Sequence, residues 1–458
     1  MTDQKNGSKK AIAKDAGAAS RRLAVNRSGD DSRKENPIAK RRGFAAGAPR
    51  ALKSGSSREW LPVEGGVTAP EGYMASGVAA GIKKKGPDIA VLFSTQPAVA
   101  AGVFTKNLVQ AAPVGLSREN LKLARGRARA ILVNSGCANA CTGAQGKKDA
   151  VLSARKLASL LKIEPEQALV ASTGVIGVYL PMPKMLDGIA SAVSALNPEG
   201  GHDAALAIMT TDTKEKIVAF EGKISGKTVR IGGMAKGSGM IHPNMATMIG
   251  VITTDVRISH GELRRVLQRT TERTFNCLTV DGDTSTNDTV FVMANGASGA
   301  AANDTRTLAA FEKGLTLVCR ELTKSIARDG EGATKFVEIV VNGAADFKSA
   351  RKVAKAIAHS PLVKTALYGR ELNWGRILCA VGYSGVSLNP DRVTLRINDI
   401  PIFSKGKPVS STREEAEKAI KERDIVIEVK LAEGKESATV WTCDLSHEYV
   451  NINASYIS

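Results

Sequence analysis

Only six of the 458 residues are cysteine, at positions 137, 141, 277, 319, 379 and 443, too few for a disulfide scaffold in a chain of this size. Cys137 and Cys141 stand four apart, without the closer spacing or the companion pair that structural zinc requires. Buried free thiols in a reducing compartment are expected. The five histidines, at 202, 242, 260, 359 and 447, form no HExxH or other ligand spacing, and no Gly-x-Ser-x-Gly elbow is present. That argues against a catalytic zinc and against the usual hydrolase nucleophile. No run of eighteen uninterrupted apolar residues occurs, so no membrane span is expected. There is no internal repeat at solenoid periods. The expectation is a soluble cytoplasmic protein with no metal and no bound cofactor.

A formal charge of +19 raises the question of nucleic acid. Residues 1–58 hold fifteen Lys or Arg against five Asp or Glu, so more than half of the excess sits in one short segment. That segment is rich in Ala, Ser, Gly, Lys and Arg, without an apolar period that could build a packed face. Residues 1–57 therefore read as a disordered basic tail. Asp3, Asp15, Asp30, Asp31 and Glu35 argue against a mitochondrial presequence, and the lack of aromatic interleaving argues against a nucleic-acid partner.

Beyond the tail the hydrophobic content of 43% is ordinary, and short apolar runs alternate with helical periods, which is the pattern of an α/β protein. Residues 88–95 and 128–134 read as buried strands ending in polar turns, and residues 149–163 read as a helix. Ser259 and Glu262 form a capping box, with Ile258 and Leu263 at the positions of a hydrophobic staple. "VEIVVNG", "RVTLRIND" and the alternating "DIVIEVKL" add strands near the C-terminus.

The glycine-rich "GGMAKGSGM" invites a phosphate-loop reading, but its Lys-Gly-Ser order is not Walker A and the third dinucleotide glycine is missing. "DGDTSTND", residues 281–288, begins like a calcium loop, yet Thr286 and Val292 stand where an EF-hand needs Gly and Glu. A polar turn, or hydroxyls lining an active site, is the reading left. The segment "KGSGMIHPNMATMIGVITTD", residues 236–255, places Thr247 behind the small Ala246 at the mouth of a β-branched apolar run. A threonine hydroxyl needs an adjacent base, and an N-terminal α-amine with a pKa of roughly 7.7 to 8.0 suits neutral pH better than an unperturbed lysine. Cleavage between Ala246 and Thr247 would create that amine. A merely structural threonine is the alternative.

"KGSGMIHPNMATM" resembles the self-processing site of the ornithine acetyltransferase family, the bifunctional glutamate N-acetyltransferases of arginine biosynthesis. "GVFTKNLVQAAPV", "NSGCANACTG", "STGVIG", "IMTTDT", "DGDTSTND", "RDGEGATK", "NWGR" and "YVNINASY" look like further signatures of that family, in its order, from about Gly66 to the last residue. The resemblance implies an α/β sandwich shared with self-processing serine aminopeptidases, cut into an α chain of residues 58–246 and a β chain of residues 247–458 that assemble as α2β2. It further implies that an acetyl-Thr247 enzyme carries the acetyl group from N2-acetylornithine to glutamate, with acetyl-CoA as a candidate second donor. By the same resemblance Thr173 and Gly174 stabilise the oxyanion, and Thr213, Lys236, Thr247, Glu331, Asn453 and Ser458 contact substrate. Thr210 and Thr211 are neighbouring candidates for the Thr213 role. Leu372 stands before "NWGR" where the family often has proline, and the tail has no counterpart in the family core. A self-processing aminopeptidase would share the cut and differ in letting water resolve the acyl-enzyme.

Overall fold

The computed structural model describes residues 59–242 and 248–455. The basic tail lies outside them.

Two sheets dominate the described residues. A nine-stranded mixed sheet runs in the order Trp60–Pro62, Lys216–Ile224, Lys227–Lys236, Ile249–Thr254, Thr289–Ala294, Ile89–Phe104, Arg127–Asn134 and Ala168–Ser172, with Tyr73–Val78 also paired to Ile89–Phe104. A six-stranded sheet is built around Phe336–Ala344, which pairs in parallel with Asp424–Lys430 and antiparallel with Glu436–Cys443. The helix Thr305–Arg328 touches both sheets, and one apolar core joins its Phe311, Leu315, Val318 and Leu322 to Ile252 and Val292 of one sheet and Ile339 and Ile427 of the other. The α/β class expected from the alternation of elements is the observed one.

Where the local signal is strong, the elements form as it predicts. "MIGVITTD" becomes the strand Ile249–Thr254, buried at every position because sheet neighbours and helices cover both faces. The helix His260–Arg273 begins at Ser259, whose hydroxyl accepts the Glu262 amide at 3.3 Å. Ile258 and Leu263 are both buried beside it.

Two expectations shift. The helix expected over 149–163 spans Gly143–Leu161; no side chain caps its free amides, but the Asn139 side chain donates to the Gly146 carbonyl (2.9 Å) and accepts the Thr142 hydroxyl (2.8 Å), tying the first turn to the loop ahead of it. An apolar period cannot show a first turn made of Gly, Gln and Lys. The strand expected to stop near Thr95 continues to Phe104, with its pairing interrupted between Phe93 and Ala98. Pro97, which has no amide to donate, sits in that exposed interruption.

Among the described residues no helix is long and apolar enough to cross a membrane. All six cysteines are free; Cys137, Cys277, Cys319 and Cys443 are buried as expected, whereas Cys141 and Cys379 are exposed. Cys141 sits in a left-handed loop residue (φ 58°) ahead of a helix, which turns it outward.

Glycine in a helix interior is ordinarily worth about 1 kcal/mol less than alanine. At Gly314 the sign reverses: an added Cβ would lie 2.4 Å from the Trp60 ring, and a Cβ on Gly222 would lie 2.6 Å from the same indole. The ring is pinched between two glycines and cannot retreat. Gly314→Ala is therefore expected to destabilise the protein by about 1 to 3 kcal/mol in urea unfolding, and Trp60→Phe in the same chain to recover part of the loss.

Candidate active site

Three neighbouring strands of the large sheet end together. Lys236 lies opposite Ile249 in the antiparallel pair, and Thr289 lies opposite Ile249 in the parallel one, so Lys236, Met248 and Asp288 crowd one sheet end at strand spacing. A cavity opens there, with walls that include Lys236, Met248, Ser285, Asn287, Asp288 and Glu331. Thr173, Gly174 and Asn453 line it as well, so five of the residues expected to act together do meet. Ala246, Thr247 and Ser458 lie outside the described residues; Met248, next after Thr247, is part of the wall.

Thr173 and Gly174 leave the strand Ala168–Ser172 in a tightly held turn. The Thr173 amide donates to the Asn134 carbonyl at 2.9 Å, and the Ser172 hydroxyl to the Asn134 side chain at 2.6 Å. Gly174 has φ 126°, and a Cβ on it would lie 2.4 Å from the Gly136 backbone, so only glycine fits. Since the Thr173 amide is occupied, the donors left for an oxyanion are the Thr173 hydroxyl and the Gly174 amide, which has no partner among the described residues. The Lys236 ammonium donates to Thr173 Oγ1 at 3.2 Å, leaving the hydroxyl proton free to point elsewhere.

Lys236 is buried, and burial lowers its pKa, although Asp212 acts in the opposite direction. Asp212 accepts the Gly237 amide at 2.7 Å and pairs with Lys216 at 2.6 Å; Lys216 also pairs with Asp329 at 2.6 Å. Burial alone would raise the Asp212 pKa, but Lys236, Lys216 and the Gly237 amide outweigh it and hold the carboxyl at about 2. Asp329 in turn binds the Thr213 amide (3.0 Å) and hydroxyl. Thr213 is exposed and outside the cavity wall, which Thr210 and Thr211 line instead. Glu331, two residues beyond Asp329, is buried; its amide donates to the Ser238 carbonyl at 3.1 Å and its carboxylate accepts from the Asn453 side chain at 2.8 Å. The C-terminal helix His447–Ser455 thus folds back onto the site.

The "DGDTSTND" segment does what its calcium-like beginning did not announce. Asp281 accepts the Met240 and Ile241 amides at 2.6 and 2.8 Å, and the Thr284 hydroxyl donates to the His242 carbonyl at 2.9 Å. It grips the chain just ahead of Pro243. His242 Nδ1 lies 2.6 Å from His359 Nε2, and burial together with Lys355 holds their pKa values down at about 3 and about 4. Asp212, Asp281 and Asn287 were not legible as site residues, because nothing in their spacing separates a buried carboxylate or amide from a polar turn. Among the described residues no group of three or more His, Cys, Asp or Glu is gathered as metal ligands.

Replacing Asp212 by Asn leaves Lys216 with one carboxylate and removes the charge facing Lys236. We expect a loss of about 3 to 5 kcal/mol at pH 7 in urea unfolding. A depressed carboxyl stabilises only while ionised, so the gap between Asp212→Asn and the parent should narrow as pH falls from the unfolded value near 4 through about 2.

Comparison with known proteins gives this geometry its context. The ArgJ family model matches residues 74–458. The arginine biosynthesis bifunctional protein ArgJ of Symbiobacterium thermophilum is 51% identical over 403 residues, covering 87% of this chain and 99% of the relative. The ArgJ protein of Bacillus licheniformis is 47% identical over 395 residues, covering 86% and 97%. A crystal structure of ornithine acetyltransferase from Mycobacterium tuberculosis, complexed with ornithine, is 43% identical over 41% of this chain and all of that one (100%), with a TM-score of 0.38. On the family match and the identity to these relatives, the chain belongs to the ArgJ family.

Proposed function

We propose that this chain is an acetyltransferase of arginine biosynthesis that moves the acetyl group of N2-acetylornithine to glutamate through Thr247. The observation that carries the reading is the cavity beside Met248, where the Thr173 hydroxyl, the Gly174 amide, Lys236 and Glu331 converge. The relatives named for arginine biosynthesis support the pathway.

In the proposed sequence the Thr247 hydroxyl first adds to the Ala246 carbonyl, the C–N bond breaks, and the acyl group shifts to oxygen. Water then hydrolyses the ester, leaving an Ala246 carboxylate and a free Thr247 amine. In turnover that amine takes the hydroxyl proton while the oxygen attacks the acetyl carbonyl. Ornithine departs with the proton, and the α-amine of glutamate then attacks the acetyl carbonyl, breaking its ester bond to the Thr247 oxygen, which takes up the amine's proton, to give N-acetylglutamate. Thr173 and Gly174 supply donors to each tetrahedral oxyanion, a contribution of order 10²- to 10³-fold per donor. Lys236 suits the substrate α-carboxylate, and Glu331 suits the side-chain ammonium of ornithine. Substrate roles for Thr213 and Ser458, acetyl-CoA as a second donor, a cytoplasmic location, and α2β2 assembly of chains 58–246 and 247–458 belong to the same proposal.

The self-processing hydrolase is the reading not favoured, since a buried Glu331 held by Asn453 offers a partner to an amino-acid ammonium. Intact mass of the wild type beside Thr247→Ala tests the cut: two fragments meeting at Ala246–Thr247 are expected in the wild type only, and an uncut active wild type would overturn the mechanism. Acetyl transfer to glutamate, assayed with acetylornithine and then with acetyl-CoA, tests the reaction and each donor. Glu331→Gln is expected to lower kcat/KM for acetylornithine roughly 10- to 100-fold, the scale of one hydrogen bond to a charged group. Equal kcat/KM in the two proteins would remove Glu331 from substrate recognition.

A further inference from the structure

We infer that Asn287 is a positioning residue that sets the oxyanion donors from across the cut, an inference that rests on the acyl-transfer reading above. Asn287 is buried, and its side-chain amide donates to the Ala138 carbonyl at 2.6 Å and the Ser172 carbonyl at 2.8 Å. Its side-chain oxygen accepts from the Thr286 hydroxyl at 2.6 Å, and its backbone amide donates to the Ser285 hydroxyl at 3.1 Å. Turning the amide over would set its oxygen against two carbonyls, so the network permits one orientation.

The two carbonyls bracket the donor turn. Ser172 immediately precedes Thr173, and the Ala138 amide donates to the carbonyl of Val175, just after Gly174, at 2.9 Å. One side chain therefore ties the entrance of the turn to the segment that holds its exit. With both amide hydrogens committed, Asn287 has none to offer substrate, although it lines the cavity. It acts through Thr173 and Gly174. Ala138 and Ser172 precede Thr247 in the chain and Asn287 follows it, so these hydrogen bonds join the two pieces that cleavage creates. Self-cleavage, acetylation and deacetylation all pass through an oxyanion, and all three depend on the same turn.

The test compares Asn287→Ala and Asn287→Ser with wild type. The readouts are the rate of fragment formation by intact mass, kcat and KM for acetyl transfer per cleaved chain, the rates of the two half-reactions, and the thermal midpoint. A misplacement on the ångström scale can cost about 10²-fold, so the Ala variant is expected to lose roughly 10- to 100-fold in kcat and in cleavage rate. KM should stay within about twofold, both half-reactions should slow together, and the Ser variant, which keeps one donor, should fall between. Variants with wild-type kcat would overturn the proposal, as would a loss carried by KM alone or by unfolding of both variants. A wild type that neither cuts itself nor transfers acetyl would instead overturn the functional reading beneath it.

Discussion

The constraint on which the site depends is a bend in one strand. Ile89–Phe104 pairs at one end with Asn134, which in turn pairs with Ser172, and at the other end with Thr289. Residues 89 and 104 are fifteen positions apart, which in a straight strand would hold those partners about 50 Å from each other. Yet Asn287, two residues before Thr289, bonds the Ser172 carbonyl at 2.8 Å. The break in pairing between Phe93 and Ala98 lets the sheet fold back until its two ends meet. Without it the turn at Thr173 and the strands Ile249–Thr254 and Thr289–Ala294 would lie far apart.

Electrostatics completes what the bend begins. Two lysines, 216 and 236, are buried among Asp212, Asp329, Asp288 and Glu331, and each carboxylate also anchors or adjoins a piece of the cavity. Ion pairs of this kind contribute little net stability against an apolar core of equal volume, but they are costly to break singly. What they provide here is geometry. Asp212 holds Gly237 beside Lys236, while Asp329 holds Thr213 and ends the helix that delivers Glu331. Lys236, which has no ion pair within 4 Å among the described residues, lines the cavity and supports the Thr173 hydroxyl at 3.2 Å.

The chain on either side of residues 243–247 is held by unlike means. Ahead of it, Asp281, Thr284 and His359 bind successive groups of the segment Met240–His242. Behind it, Met248 enters a strand paired on both sides, its carbonyl accepting the Thr289 amide at 2.9 Å. The restraints ahead of it all come from the part of the chain after Thr247. In the proposed mechanism, the β chain therefore retains the end of the α chain after the bond between them is gone.

Local chemistry was legible from the residues alone. β-branched runs gave strands because such side chains suit a sheet covered on both faces, and Ser259 started a helix because its hydroxyl accepts the free Glu262 amide, although the Glu262 carboxylate takes the Ser259 hydroxyl rather than its amide and leaves the capping box half made. Thr247 behind a small residue, and the family words around it, pointed to the chemistry and to Thr173, Gly174, Lys236, Glu331 and Asn453. Tertiary structure decided what no period or spacing encodes. It extended one strand through a bend, occupied the Thr173 amide with the Asn134 carbonyl, and brought Thr210 and Thr211 to the cavity while binding Thr213 to Asp329. It also made "DGDTSTND", which reads as a polar turn or as hydroxyls lining a site, both a part of the cavity wall through Ser285 and a clasp on Met240–His242. Sequence patterns record whether a residue is apolar, charged or turn-forming; the partners of a buried polar group are set by which distant segments the fold brings within 3 Å of it.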